Sequence, residues 1–288
     1  MTMNKIFDKN RFGRYFATDL RSCTASYGVS FLLISLMGVI IYIGTVMMGL
    51  IFKGTWEGPD IDFRSTVFGI CMFVLMVTMP VKCYGKITDK KNGSDWLMIP
   101  ASGTEKFLSM VIMTIFIIPV SAALLYLGLD AILCAADITC GPTLATSIFK
   151  LPDYIVSGQI LTYGDINSYP AIDRFMSQVR NPLLYADDII GASLAFLLGA
   201  ITFRKSKTAK TFIALTVIIT ALGFVMTPVL SSIFKDIPMT APESPEALDA
   251  LFNRWIFRHV ALFDTLNDTI VNLILLAGIY FRIKTLKH

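Results

Sequence analysis

Four stretches of this chain run almost without a polar break: Ser26 to Phe52, Thr66 to Val81, Phe107 to Ala135 and Thr211 to Phe234. A helix needs about 20 mainly apolar residues to cross the hydrocarbon of a bilayer, and these runs meet or approach that length. Two shorter runs, Ile189 to Phe203 and Thr269 to Ile283, are entered through polar segments that extend the expected helices back to about 187 and 266. The pattern predicts an all-α, polytopic membrane protein. Its six spans are expected at 26–52, 66–81, 107–135, 187–203, 211–234 and 266–283, within a single transmembrane domain covering 1–288.

Between the spans the polar pattern is also informative. In residues 9–23, Phe12, Tyr15, Phe16, Leu20 and Cys23 fall on one helical face, with Arg11, Arg14, Thr18 and Arg21 on the other. That spacing suits an amphipathic helix, covering 1–25, that lies in the membrane interface as an elbow before the first span. Ser102-Gly103-Thr104-Glu105, just ahead of an apolar run, has the form of a capping box that starts the third span. Ahead of it, Asn92-Gly93 marks a turn and Pro100 closes the short apolar stretch Trp96-Leu97-Met98-Ile99. Residues 136–186 are too long for a mere connection and carry a short helix around Ala171 to Val179. Within 235–265, Ser244-Pro245-Glu246 reads as an N-cap followed by proline at the first helical position. An apolar stripe through Leu248, Phe252, Trp255 and His259 then leads to the sixth span.

Composition agrees with this class. Of 288 residues, 55% are hydrophobic and 16% charged, against about 25% charged in an average soluble domain. The first 25 residues are polar and basic, and the apolar run after them exceeds a signal-peptide core, so that run is expected to stay as a span. Charge orients the topology. With both termini inside, the inner segments 1–25, 82–106, 204–210 and 282–288 hold 17 of the 25 Lys and Arg residues, as the positive-inside rule requires.

Candidate chemistry is sparse. The sequence contains no GxxxxGK[ST] phosphate loop and no Gly-rich dinucleotide turn, so no nucleotide-binding or catalytic role is expected of this chain. The two histidines, His259 and His288, give no metal or Ser-His constellation. The span centres lack Asp, Glu, Lys and Arg, which leaves no proton relay. Cys134 and Cys140 leave open either a disulfide or two unpaired thiols. Gly191, Ala195 and Gly199 recur every four residues, a face for close helix packing.

The segment 82–106 is the most informative part. Trp96, Leu97, Met98 and Ile99, flanked by lysines, form an apolar patch that either lies on lipid or docks into the groove of another protein. An amphipathic N-terminal helix, six spans and a structured inner loop resemble an ABC-2-type exporter permease. More narrowly, LMIPASGTEKFLS (97–109), through Leu97, Pro100, Ala101, Ser102, Glu105, Lys106 and Phe107, resembles an LPASxxEKF signature of Bacteroidetes ABC permease-like membrane proteins. The resemblance implies a coupling helix in 82–106, with Asp95, Trp96, Leu97 and Met98 docking an ABC ATPase subunit and Ser102 and Glu105 capping the helix that transmits motion. It also implies a homodimer or paralogous permease pair in the lipid bilayer of a bacterial cytoplasmic membrane. ATP is then bound by the partner, and no cofactor or nucleic acid by this chain. The family keeps its early outer connections short, whereas 136–186 is long here, and the alternative reading is a non-transporting sensor or scaffold acting through its outer loops.

Overall fold

A computed structural model describes residues 7–88, 96, 98–147, 153–179, 182–233 and 244–285. Asp95, Leu97 and the turn at Asn92-Gly93 lie outside the described residues. Among the described residues the chain is all-α apart from one short hairpin. Its helices are α1 (Lys9–Ser35), α2 (Met37–Phe52), α3 (Ile61–Tyr84), α4 (Gly103–Ile112), α5 (Ile118–Ala136), α6 (Leu144–Ser147), α7 (Tyr163–Ile166), α8 (Pro170–Val179), α9 (Pro182–Thr202), α10 (Lys207–Ile233), α11 (Pro245–Phe252), α12 (Trp255–Arg258) and α13 (Val260–Thr285). Among the described residues five helical stretches are long and apolar enough to cross a membrane: 9–52, 61–88, 103–136, 207–228 and 260–285. The fourth expected span is a shorter apolar helix over 188–202.

The amphipathic start differs from expectation. No break occurs near residue 25; α1 runs unbroken from Lys9 to Ser35, and the chain breaks instead at Leu36 (φ −81°, ψ −5°). Asp8 caps α1, its carboxylate accepting from the Asn10 N–H at 2.9 Å. The buried face is Tyr15, Cys23 and Tyr27, with Arg14 and Arg21 exposed. Just past the break, Gly38 permits a close approach, since a Cβ there would lie 2.9 Å from the Tyr126 ring.

Proline shapes the third apolar helix. Pro119 has no N–H to donate, and just before it Met113–Ile117 forms a π turn in which the Ile118 N–H reaches the Met113 carbonyl. The ladder thus shifts by one residue rather than breaking.

The chain forms two compact units. The first comprises 1–148, 189–211 and 272–288, with a core of Leu75, Met79, Met110, Met113, Leu194, Leu197 and Ile279. A Cys23–Cys83 disulfide ties α1 to α3, while Cys134 and Cys140 are free thiols. The second unit comprises 149–188 and 212–271. It contains β1 (Tyr154–Val156) and β2 (Gln159–Leu161), antiparallel across a two-residue Ser157-Gly158 turn with φ +47° and +81°. Here the helix expected near 171–179 is α8, and Ser244 caps α11 with Pro245 at its first position. These two segments pack on each other. The Asp249 carboxylate accepts from the Ala171 and Ile172 N–H groups at 2.7 and 3.1 Å, and Phe175 stacks on Phe252 at 4.3 Å. The long loop and the segment before the last helix therefore share one small core of Val156, Leu161, Ile166, Ile172, Leu248 and Phe252.

Candidate functional site

Polar side chains gather at both ends of the first unit. At one end, the capping box expected at α4 is present: Ser102 Oγ accepts from the Glu105 N–H at 3.2 Å, and Glu105 accepts from the Ser102 N–H at 2.9 Å. Glu105 does more than cap. Fully buried, it also accepts from the Asp8 N–H at 2.9 Å and, bidentately, from Arg11 at 2.8–3.0 Å. One carboxylate thus joins the first turn of α1 to the first turn of α4, in the fork geometry that suits arginine.

The same joint continues along α1. Asp19 accepts from Ser109 Oγ at 2.5 Å and from the Tyr84 hydroxyl at 3.1 Å, so α1, α3 and α4 meet there. Trp96 is half-buried and turned inward, its indole N–H donating to the Tyr15 hydroxyl at 3.2 Å. Buried Lys106 donates to the Trp96 carbonyl at 2.8 Å and holds its ammonium 4.4 Å from the indole ring centre. Met98, two residues on, is 79% exposed. Of the predicted docking patch, Trp96 therefore belongs to the joint, Met98 is exposed, and Asp95 and Leu97 lie outside the described residues.

The packing face on α9 is also present. Ala195 is buried, a Cβ on Gly199 would collide with Thr211 of α10, and one on Gly191 would come 3.0 Å from Asn272 of α13. Thr88 Oγ lies 3.2 Å from the Phe203 carbonyl, Arg282 donates to the Ile201 carbonyl at 3.2 Å, and Lys207 donates to the Gly85 carbonyl. The first two satisfy carbonyls that the end of α9 leaves open, and the third does so at the end of α3.

At the opposite end of the unit, Arg64 and Asp130 form a buried ion pair at 2.6 Å. Arg64 also donates to the Cys140 and Pro142 carbonyls at 2.7 and 2.8 Å, and Asp130 accepts from the Leu144 N–H at 2.7 Å. By sequence Arg64 counts with the loop 53–65; in the fold it sits inside α3 and its charge is spent on α5. Nearby, Asp137 accepts from the Tyr42 hydroxyl, the Trp56 indole and both polar groups of Thr139, at 2.7–2.9 Å. The side-chain bond from Thr139, then those from Tyr42 and Trp56, hold its carboxyl well below the usual carboxylate range. A depressed folded value means that this group adds stability above the unfolded value of about 4 and that the gain fades as pH falls below it. Asp137→Asn is expected to lower Tm by a constant amount between pH 5 and 8, a difference that shrinks below pH 4 and is read by thermal unfolding.

The first cluster joins α1, α3 and α4 through buried hydrogen bonds and an ion pair. Compared with known families, curated proteins and solved structures, the chain matches none.

Proposed function

We propose that this chain is the membrane-spanning subunit of an ABC-type exporter, coupling to a separate ATPase through the 82–106 segment. The observation that carries it is the joint: Glu105 clamps Arg11 and the start of α1 to the start of α4, while Trp96 and Lys106 pin the preceding segment against α1. A push on the exposed Met98 would be delivered to the first and third apolar helices together, a rigid-body transmission.

Six crossings with both termini on one face are supported by a parity argument. The end of α9 and the start of α10 lie beside the Gly85–Thr88 turn, and the end of α13 meets Ile201, so these ends share a membrane face. Since α10 and α13 can each cross, the segment between them emerges on the other face. There α11 packs on α8, which precedes α9, and this supports a crossing by α9 despite its short apolar run. With the basic segments inside, the joint faces the cytoplasm of a bacterial cell, and a second copy or a paralogue completes the path. In a reducing cytosol Cys23 and Cys83 stand as a dithiol. The α1–α3 contact then rests on Tyr27 with Thr78 at 2.7 Å and on Tyr84 with Asp19.

The small folded unit built from 153–179 and 244–258 favours a second reading, a sensor or scaffold acting through its outer segments. Affinity purification from membranes separates the two. The exporter reading expects a phosphate-loop ATPase to co-purify with the wild-type chain and to be lost with Met98→Glu, an exposed change that leaves the joint intact. Recovery of no ATPase with the wild type, or undiminished recovery with Met98→Glu, contradicts it.

A further inference from the structure

Two buried polar atoms toward the Arg64–Asp130 end of the first unit lack a hydrogen-bond partner: Ser35 Oγ and Arg64 Nε. Ser35 is 2% exposed and Arg64 7%. Both residues line one cavity, together with Gly38, Tyr42, Tyr126 and Asp130, at the break between α1 and α2. Buried polar groups in native proteins are almost always paired, and a polar space large enough for one water with two or more partners is normally filled. This cavity has room for about one.

The chemistry of the wall selects the occupant. Arg64 is already neutralised by Asp130, so an added anion would leave uncompensated negative charge in a low-dielectric setting, and a cation would sit beside the guanidinium. An apolar filler would leave both orphan groups unpaired. A neutral molecule that accepts from Arg64 Nε and exchanges a hydrogen bond with Ser35 Oγ meets every demand. We propose that the cavity holds one ordered water, linking the last residue of α1 to the Arg64–Asp130 pair between α3 and α5. The break in the first apolar helix is thereby a hydrated one, independent of whether the chain exports anything.

X-ray radiolytic footprinting tests this in the full-length protein in detergent or nanodiscs, because radicals formed at bound water label adjoining buried side chains. Tyr126 lines the cavity at 4% exposure, whereas Tyr27, at 2%, does not. Tyr126 is expected to label several-fold faster than Tyr27, and Ser35→Val, which fills the space, to bring it down to the Tyr27 rate. Equal slow labelling of both tyrosines in the wild type overturns the proposal. So does fast Tyr126 labelling that persists in a folded Ser35→Val. Should Ser35→Val fail to fold, Ser35→Ala retains the space but lowers the Tyr126 rate by weakening retention of the water, and no change there overturns it equally.

Discussion

Asp130→Ala is expected to destabilise the protein by about 3–5 kcal/mol, because it leaves a guanidinium buried with no counter-charge. Arg64 cannot move to solvent: it is 7% exposed and its Nη2 donates to both the Cys140 and Pro142 carbonyls. The Leu144 N–H loses its acceptor as well, freeing the turn that packs Leu144, which is fully buried, against Val67, Cys71 and Tyr126. The pair's net worth is a separate matter, since desolvating two charges can cancel their attraction. Replacing both at once, Arg64→Met with Asp130→Leu, is therefore expected to recover most of the loss. Recovery stays incomplete because two carbonyls lose their donor. Thermal unfolding of the detergent-solubilised single and double variants measures this. A single variant as stable as wild type contradicts the buried-pair account.

Glu105→Ala is the second large effect, expected at roughly 2–3 kcal/mol from lost hydrogen bonds to a buried carboxylate. Three donors from two distant segments converge on it: the N–H groups of Asp8 and Ser102 and the Arg11 guanidinium. Glu105→Gln keeps an acceptor for one or two of them and is expected to lose less. The loss is also local in a particular way. The first turns of α1 and α4 are expected to lose amide-exchange protection together, while the Arg64–Asp130 end keeps its own. Fraying of α4 alone would mean that the capping box acts without the N-terminal helix.

What the sequence made legible was local. Apolar runs marked the spans, and the Ser102–Glu105 spacing and the Ser244-Pro245 dipeptide placed two helix starts correctly, because caps involve residues three or four apart. The joint was half-legible: Glu105 stood out as a cap residue, but its partner Arg11, 94 positions away, lay on what periodicity marked as a solvent face. Arg64 with Asp130, 66 apart, and Asp249 with the start of α8, 78 apart, were invisible for the same reason. Helical periodicity reports which face is buried and never against what. The expected elbow over 1–25 rested on the two-faced spacing of residues 9–23, and the first span on the apolar run from Ser26. Polarity alone does not interrupt a helix, and no proline falls between Lys9 and Ser35. Trp96 was read as part of an apolar patch that lies on lipid or docks into another protein, whereas its indole found Tyr15 one helix away. The hairpin did carry a signal, a Ser-Gly pair between Tyr-Ile-Val and Gln-Ile-Leu, too short to stand out from a long loop.

If α9 crosses the membrane, the joint, the basic segments and both termini lie on one face. Single cysteines at Tyr163, ahead of α9, and at Ser206, just after it, report this directly with a membrane-impermeant maleimide, measured against the unsubstituted chain. Tyr163→Cys, at a side chain 54% exposed, is expected to react in intact cells, and Ser206→Cys only after permeabilisation. Reaction of both positions from the same side of the membrane would contradict six crossings and with them the cytoplasmic joint.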